Sequence, residues 1–263
     1  MICFTNINCR EKGRQEVSFF RDLNEKSVAP SLIVGHRGLP LEYADNTKEG
    51  ILAATAVCDM VEFDVRRTRD GVVMLSHDAH LGASAIIDMD WPAVAEFDLG
   101  RGLHPARLDD VLQAAGGFPF NFEIKNSPQD PDFDHTFAFA RAAAGRASER
   151  DVVTSFHWPT VDAVRNAHSH LSTGLLVEIG GSLDEAAAWA SGSGHQVIAP
   201  HWWLLGDQPA GRIADLAAAG LHVVVWTVND EAIARSVAAG GAAAIITDDP
   251  VRIRSVLEGE ETE

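Results

Sequence analysis

Eight short apolar runs recur along the chain, at residues 32–35, 60–65, 120–124, 152–156, 174–177, 197–199, 223–227 and 243–247. Each suits a buried strand and is too short for a helix. Several of the segments between them, such as 183–190, 213–219 and 231–239, are Ala-rich and read as helices. Gly220 and Gly240 close two of these as C-terminal caps. Strands that alternate with helices must pair in parallel, because each helix returns the chain to the same edge. Eight such units predict an α/β fold, the (β/α)₈ barrel, for which about 250 residues is typical. The chain has 263. A doubly wound open sheet is the alternative, but no G-x-G-x-x-G follows the first run.

One segment breaks the alternation. Arg69-Asp70-Gly71 separates two extended runs. Asp-Gly in that setting is a hairpin signal, so 72–76 is expected to return antiparallel to the second strand. The spacing predicts an insertion at about 66–106 between strand two and its helix at 108–115. Residues 1–30 carry five bases and four acids with no clear period. They are read as an N-terminal extension, disordered in part, ahead of a barrel at 31–257 and an acidic tail at 258–263.

Composition narrows the function. With 46% hydrophobic and 22% charged residues the chain is globular, neither disordered nor membrane-embedded. No apolar run approaches the roughly 18 residues needed to span a bilayer, so stable membrane insertion is not expected. A net charge of −17 argues against nucleic acid and anionic lipid surfaces. Cys3, Cys9 and Cys58 form no paired framework and read as inert thiols. Arg10, Glu11, Lys12 and Arg14 interrupt any secretory apolar segment, which points to a cytoplasmic protein.

The chemistry lies in polar residues placed where a barrel should be apolar. Strand side chains alternate between faces. In 61–65, Val61, Phe63 and Val65 share one face, while Glu62 and Asp64 share the other. In 120–125, Asn121, Glu123 and Lys125 lie opposite Phe120, Phe122 and Ile124. The helix-facing side must be apolar, so the polar set points inward or toward the C-terminal mouth, where such barrels keep their sites. Converging carboxylates need a cation, and an all-oxygen set suits Mg²⁺ or Ca²⁺ rather than zinc. His36, after the first strand, and His77, after the hairpin, can each give or take a proton. Arg37 offers a fork for phosphate oxygens and Lys125 a point charge.

In these motifs the chain resembles the glycerophosphodiester phosphodiesterase family. They read His36-Arg37-Gly38, Asp45-Asn46-Thr47, Glu62-Phe63-Asp64-Val65, Thr68-Arg69-Asp70-Gly71, Leu75-Ser76-His77-Asp78 and Glu123-Ile124-Lys125. Thr154-Ser155-Phe156, Trp226-Thr227-Val228-Asn229 and Ile245-Ile246-Thr247-Asp248-Asp249-Pro250 follow in family order. The resemblance spans about 32–257 and implies a (β/α)₈ barrel with a small insertion after strand two. It implies one divalent cation held by Glu62, Asp64 and Glu123, with His36 and His77 as the acid–base pair. Arg37 and Lys125 would contact phosphate. Trp226 is a pocket wall or, with equal standing, barrel core. Where the family has Glu before Asn-Thr, this chain has Asp45, one methylene shorter. His201-Trp202-Trp203 has no family counterpart and reads as a substrate-facing ledge or as packing.

The implied activity is metal-dependent hydrolysis of a small-molecule glycerophosphodiester to sn-glycerol 3-phosphate and an alcohol. Two alternatives stand beside it. One is phospholipase D-like cleavage of lysophospholipid or phosphatidylglycerol head groups. The other is a silent barrel that binds phosphodiesters.

Overall fold

The computed structural model describes residues 31–259. The extension read at 1–30, with Cys3 and Cys9, and all but the first two residues of the acidic tail lie outside that range. Eleven strands form among the described residues. β1 (Leu32–Gly35), β2 (Met60–Arg67), β6 (Phe120–Ile124), β7 (Val152–Ser155), β8 (Ser172–Val177), β9 (Val197–Pro200), β10 (His222–Val225) and β11 (Ala244–Thr247) pair in parallel. A further pairing of β1 with β2 closes the barrel. Each apolar run is a strand, with ends shifted by no more than two residues. Hydrogen bonding, not hydropathy, decides those ends.

The outer face is made by β-strand residues that alternate toward the helices. Phe63, Phe120 and Phe122 pack ring on ring at 5.0 and 4.8 Å. They join Ile51, Leu108, Val111 and Ala143 from the surrounding helices in one buried cluster. Truncating a buried Phe of this kind to Ala costs about 3–5 kcal/mol. The opposite faces fill the barrel interior. Val34, Met60, Val152, Val197, Val224 and Ile246 close its lower part. The upper part is left to the polar side chains of β2 and β6.

The inserted hairpin is present. β3 (Val73–Leu75) runs antiparallel to β2, with Val65 opposite Leu75 and Arg67 opposite Val73. β4 (His80–Leu81) and β5 (Ser84–Ala85) form a second small hairpin. Met74, Leu81, Ile86 and Val94 give the insertion a buried cluster of its own. Arg66 and Arg67, expected in the insertion, belong to β2 instead, because β3 extends the ladder past the barrel rim. The helix Leu108–Ala115 then resumes the barrel.

Gly220 follows a helix end with φ +83°, as a capping glycine should. Gly240 does not. Its φ is −73°, and the left-handed residue is Gly241 at +85°. Gly240 is small for a different reason: a Cβ there would lie 2.7 Å from the Ala210 Cα of the neighbouring helix.

Candidate active site

The site sits at the C-terminal ends of the strands and begins with β2 and β6. Their register sets Asp64 directly beside Glu123, with Glu62 two pairs lower on the same face, opposite Asn121. Glu62, Asp64 and Glu123 are all buried, and one carboxylate oxygen from each lies within 4.8 Å of the others. The loop after β1 closes over them. The Arg37 backbone N–H donates to Glu62 Oε2 at 2.9 Å. Asn46 Nδ2 donates to Asp64 Oδ2 at 2.8 Å, and its Oδ1 accepts from the Asp64 backbone N–H at 3.0 Å. Thr47 caps the next helix, accepting from the Gly50 N–H. Asp45 is half exposed and 3.1 Å from Arg37, outside the acidic trio.

That loop is tightly wound. Arg37 and Asn46 both have positive φ, +55° and +59°. Gly38, at φ +98°, lies so close to the following helix that a Cβ would be 2.7 Å from the Gly50 backbone. Only glycine fits, which is the physical content of His36-Arg37-Gly38.

Two cations lean on the carboxylates. Arg37 Nε is 3.2 Å from Asp64 Oδ2. Lys125 Nζ is 2.9 Å from Asp64 Oδ1 and in close contact with Glu123. Burial raises the Asp64 pKa, but Lys125 and Arg37 outweigh it and hold the carboxyl below its ordinary range. Glu62 goes the other way. Burial, then the Asp64 charge, push it well above the carboxylate range. Its Oε1 is buried with no hydrogen-bond partner among the described residues. An unsatisfied buried carboxylate oxygen, facing two more carboxylates, is a fit for a hard cation.

The two histidines flank Glu62 and Asp64 in sequence and are oriented alike. His36 Nδ1–H donates to Asp248 Oδ1 at 2.6 Å, and Asp248 accepts from Asn229 Nδ2 at 2.6 Å. Burial lowers the His36 pKa, but the Asp248 hydrogen bond and the Glu62 charge prevail, and the net shift is upward. His77 Nδ1–H donates to Asp78 at 2.7 Å, and its ring is 44% exposed. Both rings therefore keep Nε2 for exchange with a ligand.

The cluster borders two cavities. One, of about 280 Å³, lies between Arg37 and His77 and the insertion, with Leu81, Phe97 and Leu99 among its walls. The other, of about 150 Å³, is lined by Glu123, Lys125, Phe156 and Glu178. A larger open groove, of about 830 Å³ by Cys58 and Arg254, holds none of these residues. Cys58 itself is buried, its thiol pushed up to about 12, and so inert as expected.

Trp226 follows β10 and is partly buried. Its body packs against the barrel interior, and its edge meets Phe156 at 5.4 Å. The His201-Trp202-Trp203 segment continues outward from it: His201 lies 5.0 Å from Trp226, and Trp202 lies 5.6 Å from Trp203. Trp203 is 64% exposed.

Every expected site residue thus lies at the barrel mouth. Three participants were not expected: Asn46, Asp248 and Asn229. Each sits inside a quoted motif, so the signal was present. Nothing local said that Asn46 would face Asp64 or Asp248 would face His36.

The profile of the Glycerophosphoryl diester phosphodiesterase family matches residues 36–252. The chain belongs to this family. A Mycobacterium tuberculosis protein named "Probable glycerophosphodiester phosphodiesterase 2" is 28% identical over 222 residues, 75% of this chain and 78% of that protein. A Mus musculus protein named Lysophospholipase D GDPD3 is 29% identical over 122 residues, 39% of this chain and 37% of its own. Among solved structures, an Oleispira antarctica phosphodiesterase in complex with the product sn-glycerol-3-phosphate superposes with a TM-score of 0.75. That likeness covers 87% of this chain and 97% of that one at 19% identity, and it is one of fold. The family's barrel, with helices between eight parallel strands, is the barrel found here.

Proposed function

We propose that the mouth of this barrel hydrolyses glycerophosphodiesters to sn-glycerol 3-phosphate and an alcohol, as its family implies, with Glu62, Asp64 and Glu123 holding one divalent cation. The observation that carries this reading is the charge of the cluster. With all three carboxyls ionised, as a bound cation requires, they face Arg37 and Lys125 with one excess negative charge. A divalent cation would turn that into one excess positive charge, the complement of a phosphodiester's single negative charge. An all-carboxylate set favours Mg²⁺ or Ca²⁺. Bound there, the ion would draw charge from the phosphoryl oxygens.

The chain's own residues supply the rest. Arg37 and Lys125 orient the phosphate, and Asp64 keeps both in reach. The attacking group is a hydroxyl, from the substrate's own glycerol or from water. In the first case a cyclic phosphate forms as the alcohol leaves, and water then opens it. One imidazole takes the proton of the attacking hydroxyl while the other gives one to the departing oxygen. Asp248 and Asp78 hold the two rings in the required tautomer.

A second reading is favoured by the aromatic run. Lys125 Nζ lies 5.6 Å over Phe156, and rings follow through Trp226, His201 and Trp202 to exposed Trp203. Such a strip can carry the acyl chain of a lysophospholipid whose phosphate sits at the cluster. No helix among the described residues is long and apolar enough to cross a membrane.

A substrate panel with and without chelator tests both readings. Exhaustive chelation should abolish hydrolysis of glycerophosphocholine, and Mg²⁺ or Ca²⁺ should restore it. Activity that survives chelation would remove the metal. Lysophosphatidylcholine turned over faster than glycerophosphocholine would move the substrate to the second reading.

A further inference from the structure

Arg66 has no part in the chemistry just described. It is 3% exposed at the end of β2, two residues beyond Asp64, and its guanidinium is fully engaged. Nε and Nη2 both donate to the backbone carbonyl of His77, at 3.0 and 2.9 Å. Nη1 donates to both carboxylate oxygens of Asp132, at 2.8 and 2.9 Å. Nη2 also donates to Asp130 Oδ2 at 2.9 Å. One side chain therefore ties the inserted segment, at the residue before Asp78, to the loop that follows β6.

We propose that Arg66 is a positioning residue that sets where the His77 imidazole stands. That ring is 44% exposed. Its side-chain partner, Asp78, is 79% exposed, so side-chain contacts do little to fix its place. The ring is joined to the backbone by two rotatable bonds, and its position follows the backbone. On the preceding residue, the Ser76 N–H donates to the Asp64 carbonyl at 3.0 Å. On His77 itself, Arg66 grips the carbonyl with two N–H groups. The pair of contacts references the His77 backbone to β2, the strand that carries Glu62 and Asp64.

The composition of the clamp supports a positional role over simple stability. Arg66 and Asp132 are both buried. Desolvating a buried ion pair offsets much of its attraction, and apolar residues of similar volume often stabilise more. What apolar residues cannot do is hold one carbonyl and two carboxylates in a fixed plane. The guanidinium does so through its rigid fork, which a lysine ammonium lacks. Arg66 also links the two cavities, since His77 lines one and Asp130 the other.

The inference rests on His77 being one of the acid–base pair, and the test separates the two claims. Arg66→Lys and His77→Ala are made singly and together in the full chain, loaded with Mg²⁺, and assayed on glycerophosphocholine. Arg66→Lys should lower kcat about 10- to 100-fold, the scale expected for a misplacement of about 1 Å. KM should move less than about 3-fold. In the His77→Ala background the same change should cost less than about 2-fold, because there is no ring left to place. Backbone hydrogen exchange over 76–81 should quicken about 10-fold or more in Arg66→Lys, while β6 keeps its protection. Full turnover in Arg66→Lys would overturn the clamp, and so would an undiminished loss on top of His77→Ala. Full activity of His77→Ala would instead overturn the acid–base reading. Should Arg66→Lys fail to fold, Asp130→Asn carries the test. It keeps the Asp132 pair and should lower kcat about 3- to 10-fold, again only when His77 is present. Normal turnover in Asp130→Asn would then overturn the proposal.

Discussion

Single residues at this site work in pairs of opposite character. Asp64 is held ionised by Lys125 and Arg37, while Glu62, beside it, is driven toward its protonated form by burial and by Asp64. His36 is paired with an Asp that is itself anchored, whereas His77 leans on an exposed one. Residue types were readable ahead of the fold, because acid–base and metal chemistry use few side chains. Their partners were not, since Asp248 reaches His36 across 212 positions. Each imidazole is expected to contribute at least about 10²-fold. His36→Ala and His77→Ala should each lower kcat on glycerophosphocholine by that factor or more, with melting temperatures close to the parent. Steady-state kinetics with a thermal scan check this, and normal turnover in both variants would reject the assignment.

At the level of elements, strand periodicity did most of the work. Alternation in 61–65 and 120–124 already separated the helix-facing side chains from the site-facing ones, since the pleat leaves no third direction. The hairpin at Asp70-Gly71 was equally legible, because few dipeptides adopt that turn at low cost. The far end of β2 was not: Arg66 and Arg67 are strand residues because β3 pairs with them, a fact of partnership rather than propensity. The loop after β1 depends on a contact of backbone with backbone. Gly38→Ala would force a Cβ against Gly50 from a left-handed backbone. A destabilisation of about 2–3 kcal/mol is expected, together with a loss of activity as Arg37 shifts. Denaturant unfolding and kcat/KM measured on one preparation check both effects. An unchanged midpoint would show that the loop yields.

Across the whole molecule, a net charge of −17 surrounds a site meant for an anion. The conflict eases at the mouth, where Arg37 and Lys125 already offset two of the three buried carboxylates. The pH dependence follows from Glu62. A carboxyl whose folded pKa is raised contributes stability that is present below its unfolded pKa and lost as pH rises through the folded one. The metal-free protein should therefore lose stability from the ordinary carboxyl range up through neutrality. A bound cation needs the ionised form, so saturating Mg²⁺ should remove that decline and bind more weakly as pH falls. At about 100 times Kd it should also add about 2.7 kcal/mol. For a chain of this size that is roughly 5–10 °C in Tm. Thermal scans from acid to mildly alkaline pH, with and without Mg²⁺, measure both effects. A metal-free Tm that rises across this window would contradict the placement of Glu62.

The barrel, its inserted hairpin and the candidate site residues could be read along the chain, because periodicity, turn chemistry and side-chain type are local properties. Which groups meet is a matter of the folded chain. The register of β2 on β6 sets Asp64 beside Glu123, closure of β1 on β11 brings Asp248 to His36, and the loop after β6 delivers Asp130 and Asp132 to Arg66. Such meetings depend on long-range strand pairing, and no window of neighbouring residues contains them.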